Sequence, residues 1–273
     1  MFPYVNIGPL AFPSTGLVIL LGAWLGLSLV ERTAKRLGQN QTLIYGVAAT
    51  AVFLGFIGAR LTYVVQRWPA FRHNLLDIIW PLNTGYVVWG GVVLGLIAAF
   101  FYARSKRLAL WPTLDALAPG IVFALMMASL ADFVGGPGFG SLTAVPWGIS
   151  QYGVKRHPVQ LYEILVGGLA LLAWWRSSQR AGHIAGRPFL MATAVYSAAR
   201  LFVDAFRETA WVTGEGFHIL QISSLVILLA ALFQIGRMTA TAPDTTQTHD
   251  EPSQPITNGN HHTTVAQSND SST

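Results

Sequence analysis

Apolar stretches long enough to cross a bilayer recur along almost the whole chain, and they leave few architectures open. They cover about residues 16–30, 43–65, 86–102, 114–134, the helix that follows Pro158 and closes at Arg176, 188–206 and 217–235. Hydrocarbon offers no partner to a backbone N–H or C=O, so such stretches must close their hydrogen bonds internally, as helices. Charged residues make up only 11% of the chain, about half the share of a soluble domain. The expected fold is therefore all-α: a polytopic integral membrane protein of about seven transmembrane helices, occupying residues 1–238. Residues 239–273 are Thr, Ser, Asn, Gln, Asp, Pro and His with almost nothing apolar. They are expected to form a disordered polar cytoplasmic tail, its His249, His261 and His262 solvated rather than metal-bound. Residues 1–13 carry no positive segment, and no small-residue cleavage site follows the first run. That run is expected to remain as a helix rather than to leave as a signal peptide.

The cations orient these helices. Arg32, Lys35, Arg36, Arg104, Lys106, Arg107, Arg176, Arg180, Arg187 and Arg237 fall on one side of a seven-span path. The other side holds Arg67, Arg72, Lys155, Arg156 and Arg207. The positive-inside rule then predicts a cytoplasmic C-terminus and an outer N-terminus. Nine Trp and eight Tyr are enough to supply aromatic belts at both interfaces. The chain has no Cys, which excludes disulfides, thiolate metal sites and a cysteine nucleophile of its own. No basic stripe interleaved with aromatics is present, so nucleic acid is not an expected partner.

Four places put polar groups where lipid would reject them. The first is Lys155-Arg156-His157-Pro158-Val159-Gln160-Leu161-Tyr162-Glu163, at the mouth of the fifth span on the outer side. Pro158 suits a first helical turn, which places Gln160 and Glu163 at a depth where they need partners or water. A plainer account is an interfacial anchor. Arg60, in Gly58-Ala59-Arg60-Leu61-Thr62-Tyr63, either snorkels to the surface or faces the bundle interior. Asp132, just before the run Gly135-Gly136-Pro137-Gly138-Phe139-Gly140, either caps a turn or faces a cavity. In the sixth span Tyr196, Arg200, Asp204 and Arg207 follow at spacings of four, four and three, which would line one face of one helix. An Arg–Asp pair at that spacing can neutralise itself, yet a stripe of phenol and guanidinium also suits a lipid phosphate, which the planar Arg fork grips bidentately.

Beyond this point the sequence resembles a family. His157-Pro158-Val159-Gln160-Leu161-Tyr162-Glu163 is similar to the His-Pro-Ser/Thr-Gln-Leu-Tyr-Glu segment of prolipoprotein diacylglyceryl transferases. Over roughly residues 7–237 the order of further matches agrees: Ile7-Gly8-Pro9-Leu10, Glu31 to Gly38, Gly58 to Tyr63, Val145-Pro146-Trp147-Gly148, Tyr196 with Arg200, Phe206-Arg207-Glu208, and Gln221 with Ser224. The resemblance implies a seven-helix enzyme of the bacterial cytoplasmic membrane. Such enzymes move a diacylglyceryl group from phosphatidylglycerol to the lipobox cysteine of an exported prolipoprotein, with no metal or cofactor. It also implies site residues. Arg200, Asp132, His157, Glu163 and Tyr196 become the catalytic candidates. Arg60, Arg200, Arg207, Gln160, Tyr162 and Gly140 become the headgroup-binding candidates.

Several positions depart from the family pattern, and they fall on its chemistry. Its Tyr-Gly is Thr15-Gly16, and its Phe-His-Gly-Gly is Val88-Trp89-Gly90-Gly91. Its Gly-Arg-x-Gly-Asn-Phe aligns with Ala128 to Phe133, so the arginine is Ser129 and the asparagine Asp132; a following glutamate falls at Pro137. Two readings stay open at this level. One is a divergent transferase in which Asp132, Glu163 or His157 accepts the proton. The other is an inactive relative that binds lipid or a lipoprotein precursor as a scaffold. A transporter comes behind both, since no paired broken helices or inverted repeat are evident.

Overall fold

The structure, a computed structural model, describes residues 4–7, 10–72, 75–79, 85–151, 153–180, 184–208 and 219–240. Strands β1 (Tyr4–Ile7) and β2 (Leu10–Pro13) pair antiparallel and lead into helix α1 (Ser14–Arg36). Then come α2 (Gln41–Gln66), the short helices α3 (Trp68–Phe71) and α4 (Leu76–Ile79), α5 (Val88–Ser105) and α6 (Leu110–Gly135). The hairpin β3 (Ile149–Gln151) and β4 (Val154–Arg156) precedes α7 (Val159–Ser178) and α8 (Arg187–Val203). A single 3-10 turn, Asp204–Phe206, extends α8, and α9 (Ile219–Ala240) closes the described chain.

All seven apolar runs are helical, and the protein is an all-α polytopic membrane protein. Six of these helices are long and apolar enough to cross a bilayer. The seventh, α7, is 20 residues long, with Gln160, Tyr162 and Glu163 diluting its first turns. The 26 residues of α2 and of α6 reach about 39 Å at a rise of about 1.5 Å per residue, more than the roughly 30 Å hydrocarbon core. The surplus lets their polar ends stand in the headgroup layer. Residues 241–273, which hold nearly all of the expected tail and its histidines, lie outside the described residues, as does the start of the seventh run.

Lipid tails are as apolar as leucine, so helices associate in a bilayer by close packing rather than by burial from water. The α2–α5 pair shows how this sequence does it. A side chain on Gly91 would put its Cβ 2.7 Å from the Gly55 carbonyl, and one on Gly95 2.8 Å from the Ala51 carbonyl. Backbone therefore rests on backbone along this seam. It also explains half of the altered Val88-Trp89-Gly90-Gly91 segment: the two glycines hold α5 against α2, while Trp89 is exposed. Pairing is nested. α2 packs chiefly on α5, inside the pair that α1 makes with α6; α6 then packs on α7, α7 on α8 and α8 on α9.

One residue, Asp115, ties three of these helices together. Pro119 stands inside α6 and has no N–H, so the carbonyl four residues earlier, that of Asp115, loses its helical donor. The Trp174 indole of α7 supplies one at 3.0 Å. The Asp115 side chain, 2% exposed, turns the other way and caps α8: Gly186 N–H donates to Oδ2 at 2.6 Å and Phe189 N–H to Oδ1 at 2.9 Å. Such a cap satisfies orphan amides at a helix start and sets a negative charge on the positive end of the helix. Asp115→Ala would strip both. Losing the cap and leaving two amides unsatisfied is expected to cost about 2–4 kcal/mol, read as a lowered thermal midpoint in detergent followed by tryptophan fluorescence. Asp115→Asn, which keeps one acceptor, should lose clearly less.

Candidate active site

Successive long helices alternate in direction. The basic ends of α1, α5, α7 and α9, carrying Arg36, Arg104, Arg176 and Arg237, therefore share one side. At the opposite side the end of α6, the start of α7 and the end of α8 converge. Glu163 sits in the middle, 3% exposed. Its Oε1 accepts from Arg200 Nη1 at 2.7 Å and from Arg207 Nη2, and its Oε2 accepts from Ser129 Oγ at 2.8 Å. Glu163 therefore stands about one turn into α7 facing α6 and α8 together, the depth at which a carboxylate needs partners.

A second acid completes the network. Asp204, fully buried, lies 3.1 Å from Arg200 Nη2 and 3.8 Å from Arg207 Nε. Tyr196 stands one turn before Arg200 on α8, with its phenol beside the guanidinium. Two guanidiniums and two carboxylates thus neutralise one another, and the grip on any further anion comes from directed N–H groups. Each guanidinium carries five, and Arg207 Nε is buried with no hydrogen-bond acceptor.

The sequence spacing predicted that Arg207 would share a helical face with Arg200. It does not. α8 ends at Val203, the 3-10 turn intervenes, and Arg207 is extended, with φ −90° and ψ 118°. It reaches Glu163 from a strand-like segment that bridges to Gly140. Pro158 likewise stands just before α7, as its cap residue, rather than in the first turn.

The glycine-rich loop is stitched to this site by main-chain bonds. Ser141 N–H donates to the Phe206 carbonyl at 2.7 Å, and His157 N–H donates to the Ser141 carbonyl at 3.0 Å. Gly140 lies so close to the His157 carbonyl that an added Cβ would approach it to 2.3 Å, so glycine is required there. Arg156 holds the loop from outside: it pairs with Glu208, donates to the Gly140 carbonyl at 3.1 Å and stacks over Phe139. Gln160, wholly buried, donates its Nε2 to the Pro137 carbonyl at 3.0 Å, while its Oε1 has no partner.

Asp132 is half-buried beside the cluster. Gly138 lies between it and Arg207: a Cβ built there would fall 2.8 Å from Arg207 Nη1 and 3.5 Å from Asp132 Oδ2. No described ion pair engages Asp132, so its carboxylate remains available to a ligand. It does not cap the turn with its side chain; its backbone carbonyl takes the Gly136 N–H instead.

His157 and Tyr162 form a separate layer above. The Tyr162 hydroxyl accepts from Trp147 Nε1 at 2.8 Å and lies 3.3 Å from His157 Nδ1, and the imidazole packs on Phe206 with ring centres 4.8 Å apart. Arg60 faces inward, 8% exposed, and its guanidinium donates to the carbonyls of Ile78 at 3.0 Å and Gly85 at 3.4 Å. It is bound to the segment after α2, and the described ion pairs of Glu163 do not include it.

Sequence reasoning missed two members: Ser129 as a donor to Glu163 and the Arg156–Glu208 clasp. The Arg200–Asp204 pair was visible in the i, i+4 spacing, and the structure adds Arg207 to it. No local pattern could pair Ser129 with Glu163, or Arg156 with Glu208, because those contacts join different elements. The described residues hold no group of three or more His, Cys, Asp or Glu able to bind a metal.

Comparison with known proteins covers the helices that build this site. The family model described as prolipoprotein diacylglyceryl transferase matches residues 3–236. Among curated proteins, the phosphatidylglycerol–prolipoprotein diacylglyceryl transferase of Corynebacterium diphtheriae is 29% identical over 260 residues, covering 85% of this chain and 91% of its own. Those of Clostridioides difficile and Finegoldia magna are 27% and 28% identical, each match covering 80% of this chain and 87% of the relative. The match takes in every helix that builds the Glu163 cluster, and the chain belongs to the prolipoprotein diacylglyceryl transferase family.

Proposed function

We propose that the protein transfers the diacylglyceryl group of phosphatidylglycerol to the lipobox cysteine of an exported prolipoprotein, at the outer face of the bacterial cytoplasmic membrane. The single observation that carries this reading is the pair of guanidiniums, Arg200 and Arg207, held side by side on Glu163 with donors to spare and a free carboxylate, Asp132, beside them. Family membership supplies the reaction class, and the excess of cations on the opposite side supports an outer site, with the N-terminus outside and the C-terminus in the cytoplasm.

The chemistry follows from the side chains. Asp132 accepts the proton of the cysteine thiol. The resulting thiolate attacks the lipid glycerol carbon that carries the phosphoester oxygen. A C–S bond forms, the C–O bond breaks, and the electron pair leaves with glycerol phosphate. Arg200 and Arg207 donate to the phosphate oxygens as this charge develops, the arrangement in which preset donors contribute most. Glu163, Asp204 and Ser129 fix the guanidiniums, and Tyr196 orients Arg200. His157, Tyr162 and Gln160 line the way in. Arg60, tied to the loop after α2, shapes the neighbouring wall. No cofactor takes part in these steps.

The test is transfer by the purified protein in phosphatidylglycerol vesicles to a lipobox peptide, read as lipid attached to the peptide cysteine. Asp132→Asn keeps the shape and removes the base; it is expected to slow transfer about 100-fold or more, and to recover in part as the thiol ionises unaided above about pH 8.5. Wild-type protein that leaves the peptide unmodified, while a relative works in the same vesicles, would sink the reading.

A further inference from the structure

On the basic side of the bundle, α1 and α5 end in the same way. After α1, the amides of Leu37, Gly38 and Gln39 bond to the carbonyls of Thr33, Lys35 and Ala34. After α5, those of Lys106, Arg107 and Leu108 bond to Tyr102, Arg104 and Ala103, position for position. Such a wrap needs one residue in the left-handed region. α1 places Gly38 there, at φ 68°; α5 places Arg107, at φ 53°, the only described non-glycine residue with positive φ. Glycine adopts this conformation freely, whereas a side chain makes it unfavourable. A strained arginine where the same chain elsewhere uses glycine points to a use for its side chain.

The surroundings say what that use is. Arg107 and Arg104 line a cavity of about 490 Å³ together with Leu108. Both arginines and Lys106 between them are exposed, and no described carboxylate pairs with any of the three. Directly along α5 from Arg104, the residues one and two turns back, Phe100 and Leu96, are exposed apolar side chains, because α5 packs chiefly on α2. A lane for an acyl chain therefore ends at two guanidiniums that no described carboxylate pairs with.

We propose that Arg104 and Arg107 bind the phosphate of an anionic phospholipid in the leaflet opposite the Glu163 cluster, with its acyl chain laid along Leu96 and Phe100. Two guanidiniums offer paired N–H donors to phosphate oxygens, and an anionic leaflet raises the local concentration of such lipids. This site stands apart from the transferase reading and needs only that the end of α5 lies at a membrane surface.

Native mass spectrometry of the full chain, titrated with phosphatidylglycerol or phosphatidylcholine, tests it. Wild-type protein should retain one more phosphatidylglycerol than Arg107→Gly or Arg104→Ala, each variant binding that lipid about tenfold or more weakly; phosphatidylcholine should show no such difference. Arg107→Gly carries the control for folding, because glycine relieves the backbone: its thermal midpoint without lipid should equal or exceed that of wild type, while the rise on adding phosphatidylglycerol shrinks. Transfer to a lipobox peptide should be unchanged. Equal lipid counts in wild type and both variants would overturn the proposal. So would an equal rise in the midpoint with soluble glycerol phosphate, which would assign the cavity to a free phosphate, or loss of the difference on removing residues 241–273, which would assign it to the chain's own acidic tail.

Discussion

Arg200→Ala should lower the rate of lipid transfer about 100- to 1,000-fold, the scale on which removing one preset donor to a developing anion is felt. The measurement is the initial rate of peptide modification in phosphatidylglycerol vesicles, with wild-type and variant protein inserted at equal amounts. Arg200→Lys should recover little of the loss. Its ammonium is a single point, whereas Arg200 spans two acids at once, Glu163 through Nη1 and Asp204 through Nη2. Full activity in either variant would show that the guanidinium does not meet the phosphate.

The second large effect is on the fold. Glu163 is the only described side chain that pairs with both arginines and also accepts from α6. Glu163→Ala would leave the partly buried Arg200 and Arg207 with Asp204 as their one described anionic partner. Breaking one side of a buried network of this kind costs about 3–5 kcal/mol, and a lowered thermal midpoint in detergent should report it. Ser129→Ala removes a neutral donor from the same carboxylate and should be far milder. If the two variants lose stability equally, the cluster's charge pairing is not what holds these helix ends together.

Helices and their number were legible in the sequence because each spanning run is long, apolar and bounded by cations or glycines. The ends were less so: α1 continues through Glu31 and Arg32 to Arg36 and α6 begins at Leu110, since helical turns extend into the headgroup layer where polar residues are welcome. The site was legible as a set of residues. Arg200, Glu163 and Arg207 do meet, since polar groups stranded in apolar helices have only one another to satisfy them. Their geometry was not legible, because it depends on where α8 stops. A periodicity argument carried the helix through Arg207, while the chain turns at Asp204 and lets the glycine-rich loop bridge back to it. Arg60 shows the same limit: burial was one of two open outcomes, and only its carbonyl partners at Ile78 and Gly85 reveal what it holds. Asp115 escaped notice altogether, since a carboxylate near a span's start reads as interfacial until the missing amide of Pro119 and the start of α8 are seen beside it.

The nesting of α2 and α5 inside the α1–α6 pair sets an order of assembly. As the chain leaves the ribosome, α2 and α5 can close on each other while α6 is still being made, whereas α1 waits for its main partner. The end of α6 that carries Ser129 and Asp132 follows only after the glycine seam has formed, and α7 and α8 later still. The reactive end is thus built late, on a foundation laid by other helices. A bulky residue in the seam, at Gly91 or Gly95, would therefore be felt as a shortage of inserted protein, before any question of catalysis arises.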